Sequence, residues 1–89
     1  MNQLIIASII AYHAHLNNIP VETAIRIATC ESQLGKYNYN WEGGSAKGVF
    51  QFTAKTWKAY CAGDVLNPKD NIKCFADLYP KHKGWWECR

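Results

Sequence analysis

Apolar side chains recur at steps of three and four residues over the first sixteen positions of the chain. The recurring positions are Leu4, Ile5, Ala7, Ser8, Ala11, Tyr12 and His15. This spacing is the period of an α-helix, so we predict a first helix over about Gln3 to Leu16, ended by Asn17 and Asn18. The run LIIASIIAY has no Lys or Arg before it and no cleavage-type pattern of small residues after it. We therefore interpret it as an amphipathic helix of the domain and not as a signal sequence.

A second apolar stripe begins after Pro20, whose fixed φ and missing N–H suit the first position of a helix, with Asn18 or Ile19 at the cap. The stripe consists of Val21, Ala24, Ile25 and Ala28. The next positions on the same face are Glu31 and Ser32. The pattern therefore predicts a carboxyl side chain at the end of a buried helix face.

Two further helices are indicated in the second half of the chain. Thr53 has a hydroxyl group suited to capping a third helix with the sequence TAKTWKAYC. Asn67 can cap a fourth helix, which begins at Pro68 and closes at Pro80.

The remaining long segment, Gly35 to Gly48, is rich in Gly, Asn, Tyr, Trp and Ser, which is typical of a structured loop. No segment alternates with period two over enough residues to predict a strand. We therefore predict one compact all-α domain over residues 1–89, with a small hairpin near Asn38 to Ser45 as an alternative addition.

At 89 residues, a hydrophobic core alone leaves stability marginal. The four cysteines are Cys30, Cys61, Cys74 and Cys88, and none forms the close pair typical of zinc sites. We expect disulfides and no metal, with three pairings open on spacing alone. Disulfides indicate a secreted or cell-envelope protein, whose leader lies outside this chain or whose export takes another route. Four unpaired thiols would instead suit the cytosol.

The formal net charge of +3 comes with scattered lysines, which favour approach to an anionic surface such as a cell wall or a nucleic acid. No nucleic-acid-binding motif accompanies them, so we expect no nucleic-acid partner. Aromatic residues are abundant, with four Trp, five Tyr and three Phe. Three of them, Tyr37, Tyr39 and Trp41, lie in the polar loop, where flat rings can stack on a ligand.

Glu31 is the candidate catalytic residue. A carboxyl group pressed against apolar side chains loses hydration, and its pKa rises because the charged form suffers most. Such a group can hold a proton near neutral pH and give it to the leaving oxygen of a glycosidic bond. The alternative is that Glu31 marks the helix end and reaches solvent, and its position alone does not decide between the two.

Three segments in order, CESQLG, GVFQFTAKTW and NPKDNIKCFADLY, resemble the lysozyme-like lytic transglycosylase (SLT) domains. The C-terminal half is similar to the catalytic domain of resuscitation-promoting factors, in which a Cys precedes the catalytic Glu and a Trp-containing tail ends in Cys. Here these elements are Cys30, Glu31, Trp85, Trp86 and Cys88. The resemblance covers about Ile19 to Cys88.

The resemblance implies a role for each matching residue. Glu31 takes the place of the catalytic acid, and Ser32 that of a residue that orients it or contacts the sugar. Gln51 matches a cleft residue able to hydrogen-bond an N-acetyl group. Gly48 would let the backbone pass close to the sugar, and a purely structural role without a ligand is also reasonable. Tyr79 is a cleft residue or a core residue.

Other matches are expected to be structural. Val49 and Phe50 would lie in the core, and Asn71 and Ile72 would serve mainly in packing. The pairing implied by the resemblance is Cys30 with Cys88, which leaves Cys61 with Cys74. Many transglycosylases complete the groove with an Ala-Tyr-Asn element that this chain lacks, and the loop aromatics Tyr37, Tyr39 and Trp41 can replace part of it.

The implied substrate is the β-1,4 bond between N-acetylmuramic acid and N-acetylglucosamine in peptidoglycan glycan strands. Hydrolysis would need a second carboxylate, for which we consider Glu42, in the loop NWEGG, the only nearby candidate. A single Glu31 acting first as acid and then as base would give a 1,6-anhydro product, and we favour this route. A non-catalytic wall-binding module is the alternative from another class. We expect a monomer without cofactor or membrane insertion.

Overall fold

The computed structural model describes residues 2–37, 46–86 and 88 of the chain. Over these residues it contains four α-helices: α1 (Gln3–Leu16), α2 (Val21–Ser32), α3 (Ala54–Tyr60) and α4 (Pro68–Leu78), followed by a 3₁₀ turn over Lys83–Trp85. No β-strand occurs in this part of the chain, although Lys47 and Phe52 form an isolated antiparallel bridge. The hairpin considered near Asn38 to Ser45 lies outside the described residues. The all-α fold class is therefore confirmed.

Side chains cap three of the four helices. The Asn2 side chain accepts a hydrogen bond from the N–H of Ile5 at 2.9 Å, and Thr53 caps α3 by accepting from the N–H of Thr56 at 3.3 Å. Asn67 caps α4, as its sequence position predicts. The start of α2 differs from the prediction by one residue, because Pro20 is the cap and not the first helical residue.

Helix α1 packs against α2 and α4. Its bounds match the prediction, but the set of apolar positions that predicts the helix is not the buried face. Leu4, Ile5 and Tyr12 are exposed, whereas Ile6, Ile10 and Ala14 are buried. Both faces of this helix carry apolar side chains, so a three- and four-residue spacing alone cannot identify the buried one.

An aromatic cluster fills the core between α4 and the segment that precedes α3. The rings of Phe50 and Phe75 stack with centroids 3.6 Å apart. Trp86 meets Phe75 edge to face at 4.9 Å and Phe52 at 5.5 Å. Val49 and Phe50 are buried, which confirms their predicted core role. The last turn of the chain is thereby packed onto the middle of the sequence.

Two disulfides staple this small domain. Cys30 at the end of α2 is joined to Cys88, and Cys61 after α3 is joined to Cys74 in α4. This is the pairing that the resemblance implies. The Cα radius of gyration is 11.5 Å, close to the roughly 12 Å of a compact domain of this length. Among the described residues, no helix is both long and apolar enough to cross a membrane.

Candidate active site

Glu31 lies in the last turn of α2 at the edge of its buried face. Ile27 and Ala28, one turn earlier, are completely buried, and Glu31 itself is partly buried. Burial raises the pKa of the Glu31 carboxyl above its ordinary value, because the charged form loses hydration there. The geometry thus gives Glu31 the environment that its place in the sequence predicts.

No cation compensates this burial within residues 2–37, 46–86 and 88. The one ion pair found there joins Lys73 and Asp77 on α4, at 2.9 Å. The same residues offer no hydrogen bond to the Glu31 carboxyl group. The side chain is therefore a partly desolvated acid that keeps its proton to a higher pH than an exposed glutamate does.

Ser32, the next residue, is buried, and its hydroxyl group is used inside the protein. It donates to the carbonyl of Val49 at 2.6 Å and accepts from the N–H of Gly35 at 2.9 Å. These bonds fix the end of α2 against the turn formed by residues 48–51. Ser32 therefore positions the helix end that carries Glu31, and the structure gives it no surface for direct contact with a sugar.

The turn itself is shaped by a pairing and by a glycine. Lys47 and Phe52 exchange two backbone hydrogen bonds of 2.9 Å each. Gly48 between them has a φ of +85°, and a Cβ at this position would collide with the Asn71 side chain and the Val65 carbonyl. The glycine is thus required by packing, which is the structural role considered for it.

Gln51 connects the turn to the segment after α2. Its φ is 52°, an uncommon conformation for a non-glycine residue. Its side-chain amide donates to the carbonyl of Gly48 at 2.9 Å and to that of Tyr37 at 3.4 Å. The N–H of Tyr37 in turn donates to the carbonyl of Ser32 at 3.0 Å. The predicted residues Ser32, Tyr37, Gly48 and Gln51 therefore belong to one hydrogen-bonded unit at the end of α2.

The structure describes only some of the aromatic residues predicted to contact the substrate. Tyr37 is 38% exposed, so its ring is accessible, and its contact with a ligand stays a prediction. Tyr79 is buried, 5.1 Å from the ring of Phe75, so of its two alternatives the structure favours the core. Tyr39, Trp41 and the candidate second carboxylate Glu42 lie outside the described residues.

Asn71 has a larger role than the packing assigned to it from the sequence. It is fully buried, accepts from the N–H of Phe50 at 2.9 Å and donates to the carbonyl of Val65 at 2.8 Å. The sequence contains a signal for this role, because Asn71 lies four residues before Phe75 on the apolar face of α4. An amide buried on such a face needs hydrogen-bond partners. Asn71 thus binds the turn at Phe50, the residue after the Val49 carbonyl that Ser32 binds.

The described part of the chain holds no group of three or more His, Cys, Asp or Glu side chains placed to bind a metal ion.

Comparison of the chain with protein-family models, with curated proteins and with solved structures gave no match. Inferences about function therefore rest on the geometry around Glu31 and on the sequence motifs.

Proposed function

We propose that the protein is an enzyme that cleaves the β-1,4 bond between N-acetylmuramic acid and N-acetylglucosamine in peptidoglycan. The observation that carries the proposal is the partly buried Glu31, whose pKa is raised by desolvation and whose helix end is tied to the turn of Gln51. A carboxyl group of this kind can act as general acid toward a glycosidic oxygen. The CES and GVFQF motifs support the same assignment.

A single carboxylate is sufficient for the favoured route. The Glu31 carboxyl protonates the oxygen that bridges the two sugars, and the bond from that oxygen to the anomeric carbon of the muramic acid breaks. The carboxylate then takes the proton of the sugar's 6-hydroxyl group while the oxygen of that hydroxyl group forms a bond to the anomeric carbon. The products are a 1,6-anhydromuramic acid end and a free 4-hydroxyl group, and Glu31 is protonated again without net use of water.

Two of the described carboxylates, Glu22 and Asp77, are poor partners for Glu31, which supports the single-carboxylate route. Two-carboxylate glycosidases hold the groups about 5 to 5.5 Å or about 6.5 to 9.5 Å apart. Glu22 is nine residues before Glu31 on α2, or about 13 Å along the helix axis. Asp77 is paired with Lys73 on another helix. Hydrolysis assisted by Glu42 is the alternative outcome of the test.

The compartment follows from the same proposal. The two disulfides require an oxidising environment to form and persist. Peptidoglycan lies in such an environment, outside the bacterial cytoplasm. We therefore propose that the protein acts in the cell envelope or after secretion, as a monomer on glycan strands.

The test is digestion of purified peptidoglycan followed by mass spectrometry of the products. Wild-type protein should release fragments with anhydro ends, each lighter by one water than a reducing end, whereas reducing ends would indicate hydrolysis. Glu31→Gln should lower turnover at least about a hundredfold, the usual contribution of a general acid. Glu22→Gln, on the exposed first turn of the same helix, is the matched control and should retain activity. Full turnover by Glu31→Gln, or binding without turnover by the wild type, would contradict the proposal.

A further inference from the structure

A second group of aromatic side chains lies at the surface, near the tail. His82 and Trp85 stack with ring centroids 3.9 Å apart and an angle of 15° between their planes. Tyr60, at the end of α3, lies 5.3 Å from Trp85. Tyr60 is 57% exposed and Trp85 is 44% exposed. We call Tyr60, His82 and Trp85 the aromatic platform.

The stacking orients Trp85. One face of its indole ring is covered by His82, and its neighbour Trp86 is buried and donates from Nε1 to the carbonyl of Phe50 at 3.0 Å. The disulfide to Cys88 fixes the chain just beyond it. An exposed Trp ring is thus held in place by its surroundings, which lowers the entropy lost when a ligand binds to it.

A groove of about 300 Å³ is lined both by Trp85 of this platform and by Gln51 of the turn at the candidate active site. Its described lining consists of Gln51, Phe52, Thr53, Thr56, Trp85 and Trp86. The Thr53 hydroxyl donates to that of Thr56 at 3.1 Å, which leaves the Thr56 proton for another acceptor. Gln51, which also lines the groove, belongs to the hydrogen-bonded unit that includes Ser32 and Tyr37.

The side chains that line the groove indicate which class of ligand it can bind. Aromatic rings, hydroxyl groups and an amide are present, and none of the six side chains is charged. A phosphate or carboxylate ligand would find no cation among these six described residues. A sugar ring fits, because one of its faces presents C–H groups to an indole and its edge presents hydroxyl groups to a Thr hydroxyl.

We propose that this groove binds a pyranose ring of the glycan strand, stacked on Trp85 and hydrogen-bonded to Thr56. The identity of the glycan rests on the proposed function, but binding in the groove does not need the acid chemistry of Glu31. The groove would add a sugar-binding position next to Gln51 and hold the strand while the bond is cut.

The test measures binding separately from turnover. In the Glu31→Gln background, affinity for a soluble β-1,4-linked N-acetylglucosamine oligomer is measured by calorimetry, and retention on insoluble peptidoglycan by sedimentation. Trp85→Ala should weaken binding about tenfold or more, whereas Trp85→Phe should retain most of it because a flat ring remains. Tyr12→Ala removes a ring that is 63% exposed on α1, outside the groove, and is the matched control. Unchanged thermal unfolding would establish that Trp85→Ala is folded.

The possible results separate the two proposals. Unchanged affinity in folded Trp85→Ala, or an equal loss in Tyr12→Ala, would overturn the groove proposal even if Glu31 is catalytic. Binding that depends on Trp85 in a protein whose wild type has no turnover would support the groove and refute the enzyme. Thr56→Val gives a second check, since it keeps the shape of the side chain and should weaken binding by removing the hydroxyl.

Discussion

At Glu31, the proposed chemistry and the stability of the fold have opposite requirements. Burial raises the pKa of this carboxyl in the folded chain, so the folded state holds the proton more tightly than the unfolded state. Below the ordinary pKa of glutamate, Glu31 is protonated in both the folded and the unfolded state, so there is no charge whose burial lowers the stability of the fold. As the pH rises from there through the raised folded pKa, the unfolded state ionises more readily and stability is lost.

Replacing Glu31 with Gln should therefore stabilise the protein at neutral pH, because the amide has the same shape and no charge to desolvate. The melting temperature of Glu31→Gln should exceed that of the wild type at pH 7, and the difference should shrink toward zero below the ordinary pKa of glutamate. Thermal unfolding followed by circular dichroism across this range measures the difference. Glu22→Gln serves as the control, and an equal gain from that exposed site would contradict the explanation.

Asn71 offers a test of how the turn is held. Asn71→Leu keeps the approximate volume but leaves the buried N–H of Phe50 and the partly buried carbonyl of Val65 without their partner. Each unsatisfied group costs about 1–3 kcal/mol, so we expect a loss of about 3 kcal/mol in the free energy of unfolding, measured by urea denaturation.

Asn71→Asp distinguishes this explanation from a simple packing defect. The aspartate keeps an acceptor for Phe50 but loses the donor to Val65, so it should be more destabilising at neutral pH than at acid pH, where a protonated carboxyl can donate again. A loss that does not vary with pH would contradict the role assigned to the amide.

At the scale of the elements, the sequence predicted where helices begin and end better than which faces they bury. Asn67 and Thr53 cap helices where expected because capping is a local interaction. The buried face of α1 is a tertiary property, decided by what α2 and α4 present to it. The same holds for the site. The motifs indicated Glu31 and Gln51, but the bonds from Ser32 and Asn71 to the turn depend on contacts between distant residues.

The cap of α4 can be tested by itself. The Asn67 side chain accepts from the N–H groups of Lys69 at 2.9 Å and Asp70 at 3.3 Å. Asn67→Ala should cost about 1 kcal/mol of unfolding free energy, and Asn67→Asp should cost little because its carboxylate also accepts at a helix N-terminus. Urea denaturation of both variants measures this, and equal losses would show that the cap is not what Asn67 supplies.

For the whole molecule, the two disulfides compensate for a small core in different ways. Cys61–Cys74 closes a segment of 13 residues between neighbouring helices, whereas Cys30–Cys88 spans 58 residues and joins α2 to the tail. On the chain-entropy estimate, the short loop contributes about 3 kcal/mol and the long one about 4 kcal/mol. Cysteine spacing left all three pairings open, because pairing depends on which cysteines the fold brings together, and only the resemblance implied the pairing that is found.

The two disulfides should differ more in their effect on activity than in their effect on stability. The Cys30–Cys88 disulfide includes the residue immediately before Glu31 and fixes the tail that carries Trp85 and Trp86. The Cys61–Cys74 disulfide lies between α3 and α4. The double variant Cys30→Ser with Cys88→Ser should lose about 4 kcal/mol of unfolding free energy and, at a temperature where it is still folded, most of its turnover on peptidoglycan. Cys61→Ser with Cys74→Ser is the matched control, with a loss of about 3 kcal/mol and activity retained in the folded fraction. Urea denaturation and product release, measured on the same samples, separate the two effects. If both variants lost activity only in proportion to the fraction unfolded, the long disulfide would have no role in holding Glu31 and the tail in place.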